Sequence, residues 1–160
     1  MHLDLSQPSE SPGRVGAVAR GLGFAGLLPP LALVALIAWT RASPDRSSLL
    51  ATALDLYAAI ILSFLGGMWW SFAMRRRRGQ GGLAALAVAP SLVTAALLLW
   101  SAVSGPNWPG VALGSAVLLT LLVDRHLVAT GEAPAGWMGL RMPLSLGLGL
   151  LTIAAGALAG

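Results

Sequence analysis

Five runs of about twenty residues, each almost free of charge, dictate what this chain can fold into. They cover residues 21–39, 49–74, 83–103, 110–128 and 140–159. An α-helix rises about 1.5 Å per residue, so roughly 20 residues cross a bilayer core about 30 Å thick. No water reaches that core to satisfy a backbone N–H or C=O. A crossing segment is therefore a helix or one strand of a closed barrel. A barrel would read as short segments of alternating hydrophobicity, and none occur here. The expectation is an all-α integral membrane protein, a bundle of five transmembrane helices.

Composition supports this and removes other classes. Charged residues make up 10% of the 160 and apolar residues 56%, against about 25% charged in ordinary soluble domains. A disordered chain, a soluble enzyme of usual design and a nucleic-acid module are all excluded on that balance. The net charge of +4 comes from arginines flanking the apolar runs rather than from a basic face, so no nucleic-acid partner is expected. There is no cysteine, hence no disulfide or thiolate chemistry.

Residues 1–20 form a polar tail rich in Ser, Pro and Gly, expected to be disordered at its start. Residues 21–160 are expected to form a single five-helix domain. The tail carries Asp4 and Glu10 rather than a basic cluster. Trp39, Thr40 and Arg41 after the first run do not resemble a small-residue cleavage site, so that run is read as a retained anchor. With five spans, the tail and the second and fourth connections share one side. That side carries Arg14, Arg20, Arg75, Arg76, Arg77, Arg78, Arg125 and Arg141; the other carries Arg41 and Arg46. The positive-inside rule then predicts a cytoplasmic N-terminus and a C-terminus outside. Trp39, Trp100 and Trp108 fall at the outer boundary and Trp69, Trp70 and Trp137 near the inner one, as two aromatic belts would. Pro29 and Pro30 lie mid-run and Pro90 within the third, where each is expected to kink its helix. Pro143 falls in the first turn of the fifth helix, where its missing N–H costs little.

Candidate sites are few. Ala59, Ser63, Gly67 and Ser71 recur every four residues in the second run and stack into a smooth stripe, widened by Gly66, for close helix packing. Gly149, Gly156 and Gly160 supply similar material in the fifth. Asp55 lies within the second run, where a carboxylate near mid-bilayer costs on the order of 3 kcal/mol. It should face the interior, reach the surface, or pair with Arg41 or Arg46. Asp55, Tyr57, Trp69 and Trp70 are the candidate intramembrane polar or ligand contacts. Asp124 can pair with Arg141 across a short connection as a structural clamp. Arg75, Arg76, Arg77 and Arg78 read as a topology determinant that also meets anionic lipid headgroups. His126 and His2 belong to no cluster with metal-ligand spacing, so no metal and no cofactor are expected. No nucleophile–base pair, phosphate loop or carboxylate pair can be assembled, and the expectation is that the chain is not an enzyme.

The segment YAAIILSFLGGMWWSFAM (57–74) resembles the signature of a bacterial inner-membrane family, domain of unknown function 3429, which has a mitochondrial transmembrane relative. APSLVTAALLLW (89–100) is similar in order, as is the pattern of Asp124, Gly131, Pro134, Trp137, Leu140 and Arg141. The resemblance covers about residues 20–155 and rests chiefly on SFLGG. The chain departs from it at Trp69, where the family commonly has His, and at Met138, where Tyr is usual. A role for that histidine in holding a ligand or metal would not carry over to Trp69. The resemblance implies a small multi-pass protein of the bacterial inner membrane and little more.

Two function classes remain. The first is a non-enzymatic interaction or assembly partner, contacting the lipid bilayer and another membrane protein or a second copy of itself. The alternative is a binder or carrier of a small apolar ligand (lipid, quinone or porphyrin) in a cavity lined by Tyr57, Trp69 or Trp70. An ion path ranks below both, because Asp55, Tyr57 and Ser63 make only half a route.

Overall fold

The computed structural model describes residues 16–40, 42–104 and 108–159, without the side chains of Ser104, Trp108 and Ala159. The expectations for the tail through residue 15, for Arg41, for the Trp108 side chain and for Gly160 lie outside the described residues. Six helices follow in order: α1 (Ala17–Ala25), α2 (Leu28–Trp39), α3 (Pro44–Arg75), α4 (Gln80–Ser104), α5 (Trp108–Ala129) and α6 (Trp137–Ala159). No strand occurs among the described residues. Five segments are long and apolar enough to cross a membrane: Ala17–Trp39, Pro44–Arg75, Gln80–Val103, Pro109–Ala129 and Trp137–Leu158. The chain is an all-α, multi-pass membrane protein.

The first span is two helices, not one kinked rod. A helical N–H donates to the carbonyl four residues back, so Pro29 and Pro30 leave the carbonyls of Ala25 and Gly26 without their helical donors. The helix stops at Ala25 and restarts at Leu28, with proline in the first turn of α2, where the ring is tolerated. Tyr57 on α3 repairs the break: its hydroxyl donates to the Gly26 carbonyl at 2.6 Å. By contrast, α4 runs unbroken through Pro90. Helical structure begins at Ala17, inside the stretch read as tail.

At 32 residues, α3 is about 48 Å long at 1.5 Å per residue. It begins at Pro44 rather than near residue 49. Pro44 is well placed in the first turn, and Asp45 complements the positive helix end. Hydropathy alone misses this polar turn. α3 is the axis of the bundle, packed against α2, α4, α5 and α6.

Three apolar layers stack along it. One joins Ile37, Ala51, Leu54 and Ala155 of α2, α3 and α6. The middle one joins Ala58, Leu62, Leu113, Val117 and Leu148 of α3, α5 and α6. The last joins Trp69, Phe72, Leu83 and Leu127 of α3, α4 and α5.

Close helix contact falls on glycines, but not along the whole stripe expected. A Cβ at Gly66 would lie 2.3 Å from the Ala87 carbonyl of α4 and 3.3 Å from the Pro90 ring. Ala59 is buried as well. Gly67 has nothing within 4 Å of where its Cβ would be, Ser71 is exposed and Ser63 half-buried. The four-residue repeat drifts off the buried face because 3.6 residues make a turn. The face buried against α4 and α5 runs instead through Leu62, Leu65, Gly66, Trp69, Phe72 and Ala73. The most extensive helix pair is α5 with α6. There a Cβ at Gly114 would come within 2.5 Å of the Gly149 carbonyl, and one at Gly149 within 2.9 Å of the Gly114 carbonyl.

Lipid supplies no hydrophobic drive for helices to associate, so such contacts govern assembly. Gly114→Ala forces α5 and α6 apart and costs about 1–3 kcal/mol. Gly67→Ala, with open space beside it, is neutral or slightly stabilising through its better helix propensity. Thermal unfolding of the two variants in the same detergent measures the difference.

Candidate functional site

Asp124 of α5 is fully buried, at 0% exposure. A carboxylate in such surroundings persists only if donors replace the water it has lost. Three do. The Trp69 indole N–H on α3 donates to Oδ1 at 2.9 Å, and the Trp137 indole N–H on α6 to the same oxygen at 3.3 Å. Arg141 on α6 donates from Nε to Oδ2 at 2.8 Å. Phe72 meets the Trp137 ring edge-on, with centroids 5.8 Å apart. One residue of α5 thus holds α3 and α6 at a single depth.

Trp69, buried, and Trp137, half-buried, are therefore hydrogen-bond donors to a buried carboxylate. Trp69 is 2% exposed, whereas Trp39 and Trp100 at the other end are 88% and 61% exposed. Belt preference is read from depth along the helix, and depth alone does not say which way a ring points.

Polar atoms beside the cluster are left without partners. Arg141 is 5% exposed, and its Nη2 has no hydrogen-bond partner among the described residues; neither has the Oγ of Ser145, one turn further along α6. Both residues line a cavity of about 380 Å³ between α1, α3 and α6. Ala19 and Gly23 contribute from α1, and Tyr57 and Ile61 from α3. The remaining wall is apolar. The α1 wall is thin, for none of its side chains is buried. A concave, mostly apolar pocket of this size is the usual form of a small-molecule site.

The other sequence-singled residues lie elsewhere. Trp69 also borders a separate apolar groove of about 210 Å³ beside Pro90, and Trp70 is exposed. Asp55 is 6% exposed and faces the interior. Its Oδ1 lies 3.0 Å from where a Gly110 Cβ would be, against the first turn of α5, whose positive end favours an anion. Among the described residues Asp55 forms no ion pair, with Arg46 included.

In the arginine run, Arg76 turns back and clasps Glu132 in the α5–α6 connection, through Nε at 2.5 Å and Nη2 at 2.6 Å. Arg75, Arg77 and Arg78 stay exposed. The Arg76 guanidinium holds the Glu132 carboxyl below the usual range, helped by the Thr130 hydroxyl. The pair stitches the α3–α4 connection to the α5–α6 connection at one end of the bundle.

Two features escaped the sequence reading. Gly110 and Gly114 form a Gly-x-x-x-Gly pair, a recognisable helix-packing signal. Ser145 carried no signal at all, because its weight comes from lying one helical turn beyond Arg141.

Removing one partner of a buried ion pair leaves the other uncompensated, which costs about 3–5 kcal/mol. Asp124→Ala and Arg141→Met are each expected to lose about that much. The double variant Asp124→Leu/Arg141→Met, with both charges gone, is expected to unfold at a higher temperature than either single change. Melting curves of the three proteins in one detergent test this.

No curated protein and no solved structure matches the chain. A family model does, over residues 15–157, under the description protein of unknown function (DUF3429). That match takes in α1 to α5, α6 as far as residue 157, the Asp124 cluster and the cavity beside it, and the chain belongs to this family.

Proposed function

We propose that this protein binds a small amphipathic ligand in the cavity between α1, α3 and α6. The observation carrying this reading is an apolar cavity of about 380 Å³ whose lining includes the otherwise buried polar residues Arg141 and Ser145. The volume lies within the usual range for such sites, about 300–1,000 Å³. The reading is a binder or carrier, since the lining among the described residues is mostly apolar.

The interaction reading keeps one supporting observation. Gly67 and Ser71 sit on an exposed face of α3 between Phe64 and Met74, both also exposed. A smooth strip on a lipid-facing surface suits a second transmembrane helix, from another protein or a second copy. The cavity has the stronger claim because its volume and apolar lining suit a small molecule, whereas a smooth exposed strip is also what plain lipid contact leaves.

For placement, the arginine asymmetry supports an inner membrane orientation with the N-terminus cytoplasmic. A reporter fused after Gly160 should then be active only outside the cytoplasm. Cytoplasmic activity there would reverse the topology.

For function, the protein purified gently from native membranes is expected to carry a stoichiometric small molecule, identified by mass spectrometry. Ile61→Trp, which places an indole in the cavity, should lose it while still folding. Equal retention by both proteins would remove the cavity from the reading.

A further inference from the structure

Where the cavity opens restricts what can fill it, and this inference rests on the binding reading above. Among its lining residues only Ala19 and Leu22 of α1 and Phe64 of α3 are exposed. The mouth therefore lies between α1 and α3. Helix packing agrees: α1 rests on α6, with Gly23 against Leu140 and Leu144, and scarcely touches α3. No buried side chain holds α1 down, so the gap can widen. Towards mid-membrane it is closed by the Tyr57 hydroxyl, which donates to the Gly26 carbonyl at 2.6 Å.

The cavity also has a definite depth. Ala19 and Arg141 stand near the starts of the spans Ala17–Trp39 and Trp137–Leu158, whereas Tyr57 and Leu148 stand near the middles of theirs. At about 1.5 Å per residue, the stretch from Ala19 to Leu27 covers about 12 Å of the roughly 15 Å half of the hydrocarbon core. The cavity is thus a slot one leaflet deep, on the side of the α1 N-terminus, and its mouth faces lipid chains rather than water.

An apolar space of about 380 Å³ is a poor place for water, and left empty it forfeits dispersion contacts for its walls. The apolar matter at its mouth is the hydrocarbon of the bilayer. Arg20, one helical turn before Gly23, is exposed and forms no ion pair among the described residues. It marks the headgroup end of the slot, where a cation meets a lipid phosphate favourably. We infer that the ligand is a phospholipid of that leaflet, with one acyl chain slid sideways between α1 and α3 and its headgroup left at the membrane face beside Arg20. Such a ligand needs no polar contact inside the slot.

The test uses the full chain in phosphatidylcholine vesicles that contain some of the same lipid with a diazirine midway along its palmitoyl chain. Light expels nitrogen, the carbene inserts into a neighbouring C–H bond, and mass spectrometry identifies the labelled residue. Labels are expected on Ile61, Leu65 or Leu144 inside the slot as well as on the outward Leu119 and Leu122 of α5. Ile61→Trp should cut labelling of Leu65 and Leu144 about tenfold, because overfilling a packed space is costly. Leu119 and Leu122 should label as before, which also reports that the variant inserts. Labels confined to outward side chains would overturn the sideways-lipid inference, and so would slot labels that survive Ile61→Trp in full. In either case a small molecule that co-purifies with the parent and is lost from Ile61→Trp keeps the cavity reading. An unlabelled slot and no such molecule would remove both.

Discussion

A single carboxylate sets the arrangement of three helices. Asp124 has no contact with solvent, so the cost of removing its hydration is met by two indole N–H groups and a guanidinium. Those groups come from α3 and α6, and each must be at the right depth and rotation to reach the same pair of oxygens. A one-residue slip of either helix would turn its donors by about 100° and leave the charge bare. Leu and Ala pack acceptably in many registers, whereas a buried carboxylate with three directional partners accepts few. The polar cluster thus supplies register, and the apolar layers supply bulk.

Packing elsewhere follows from what lipid does not provide. With tails as apolar as leucine on every side, α5 and α6 associate because Gly114 and Gly149 let their backbones approach within contact of each other's carbonyls. The contact of α3 with α4 depends in the same way on Gly66, which meets the Ala87 carbonyl and Pro90. The first span is the least committed part of the bundle. It is cut by two prolines, its α1 half buries no side chain, and its freed Gly26 carbonyl is met by Tyr57. That loosely held half forms one wall of the cavity, and α3 and α6 form the others.

Much of this was legible in the residues. Five apolar runs determined the class, the number of spans and their approximate ends, because hydrocarbon thickness and backbone hydrogen bonding leave a chain of this composition no other solution. The short α5–α6 connection made Asp124 and Arg141 neighbours by chain geometry alone. The break near Pro29 and Pro30 was also visible, since proline's missing N–H is a local property.

Tertiary structure decided which face of each helix turns inward. Periodicity ranked Ser63, Gly67 and Ser71 with Ala59 and Gly66. Only the neighbours of α3 show that Gly66 is packed while Gly67 is bare, and in apolar helices every face looks alike to hydropathy. The same ambiguity hid the indoles: depth put Trp69 and Trp137 at an interface, but rotation about the helix axis put their N–H groups on Asp124. The cavity, too, exists only because α1, α3 and α6 converge around Arg141 and Ser145. That Arg141 and Ser145 each keep an unpartnered donor results from how many partners the fold brings to each polar atom, a count fixed by three-dimensional packing and by no local pattern of residues.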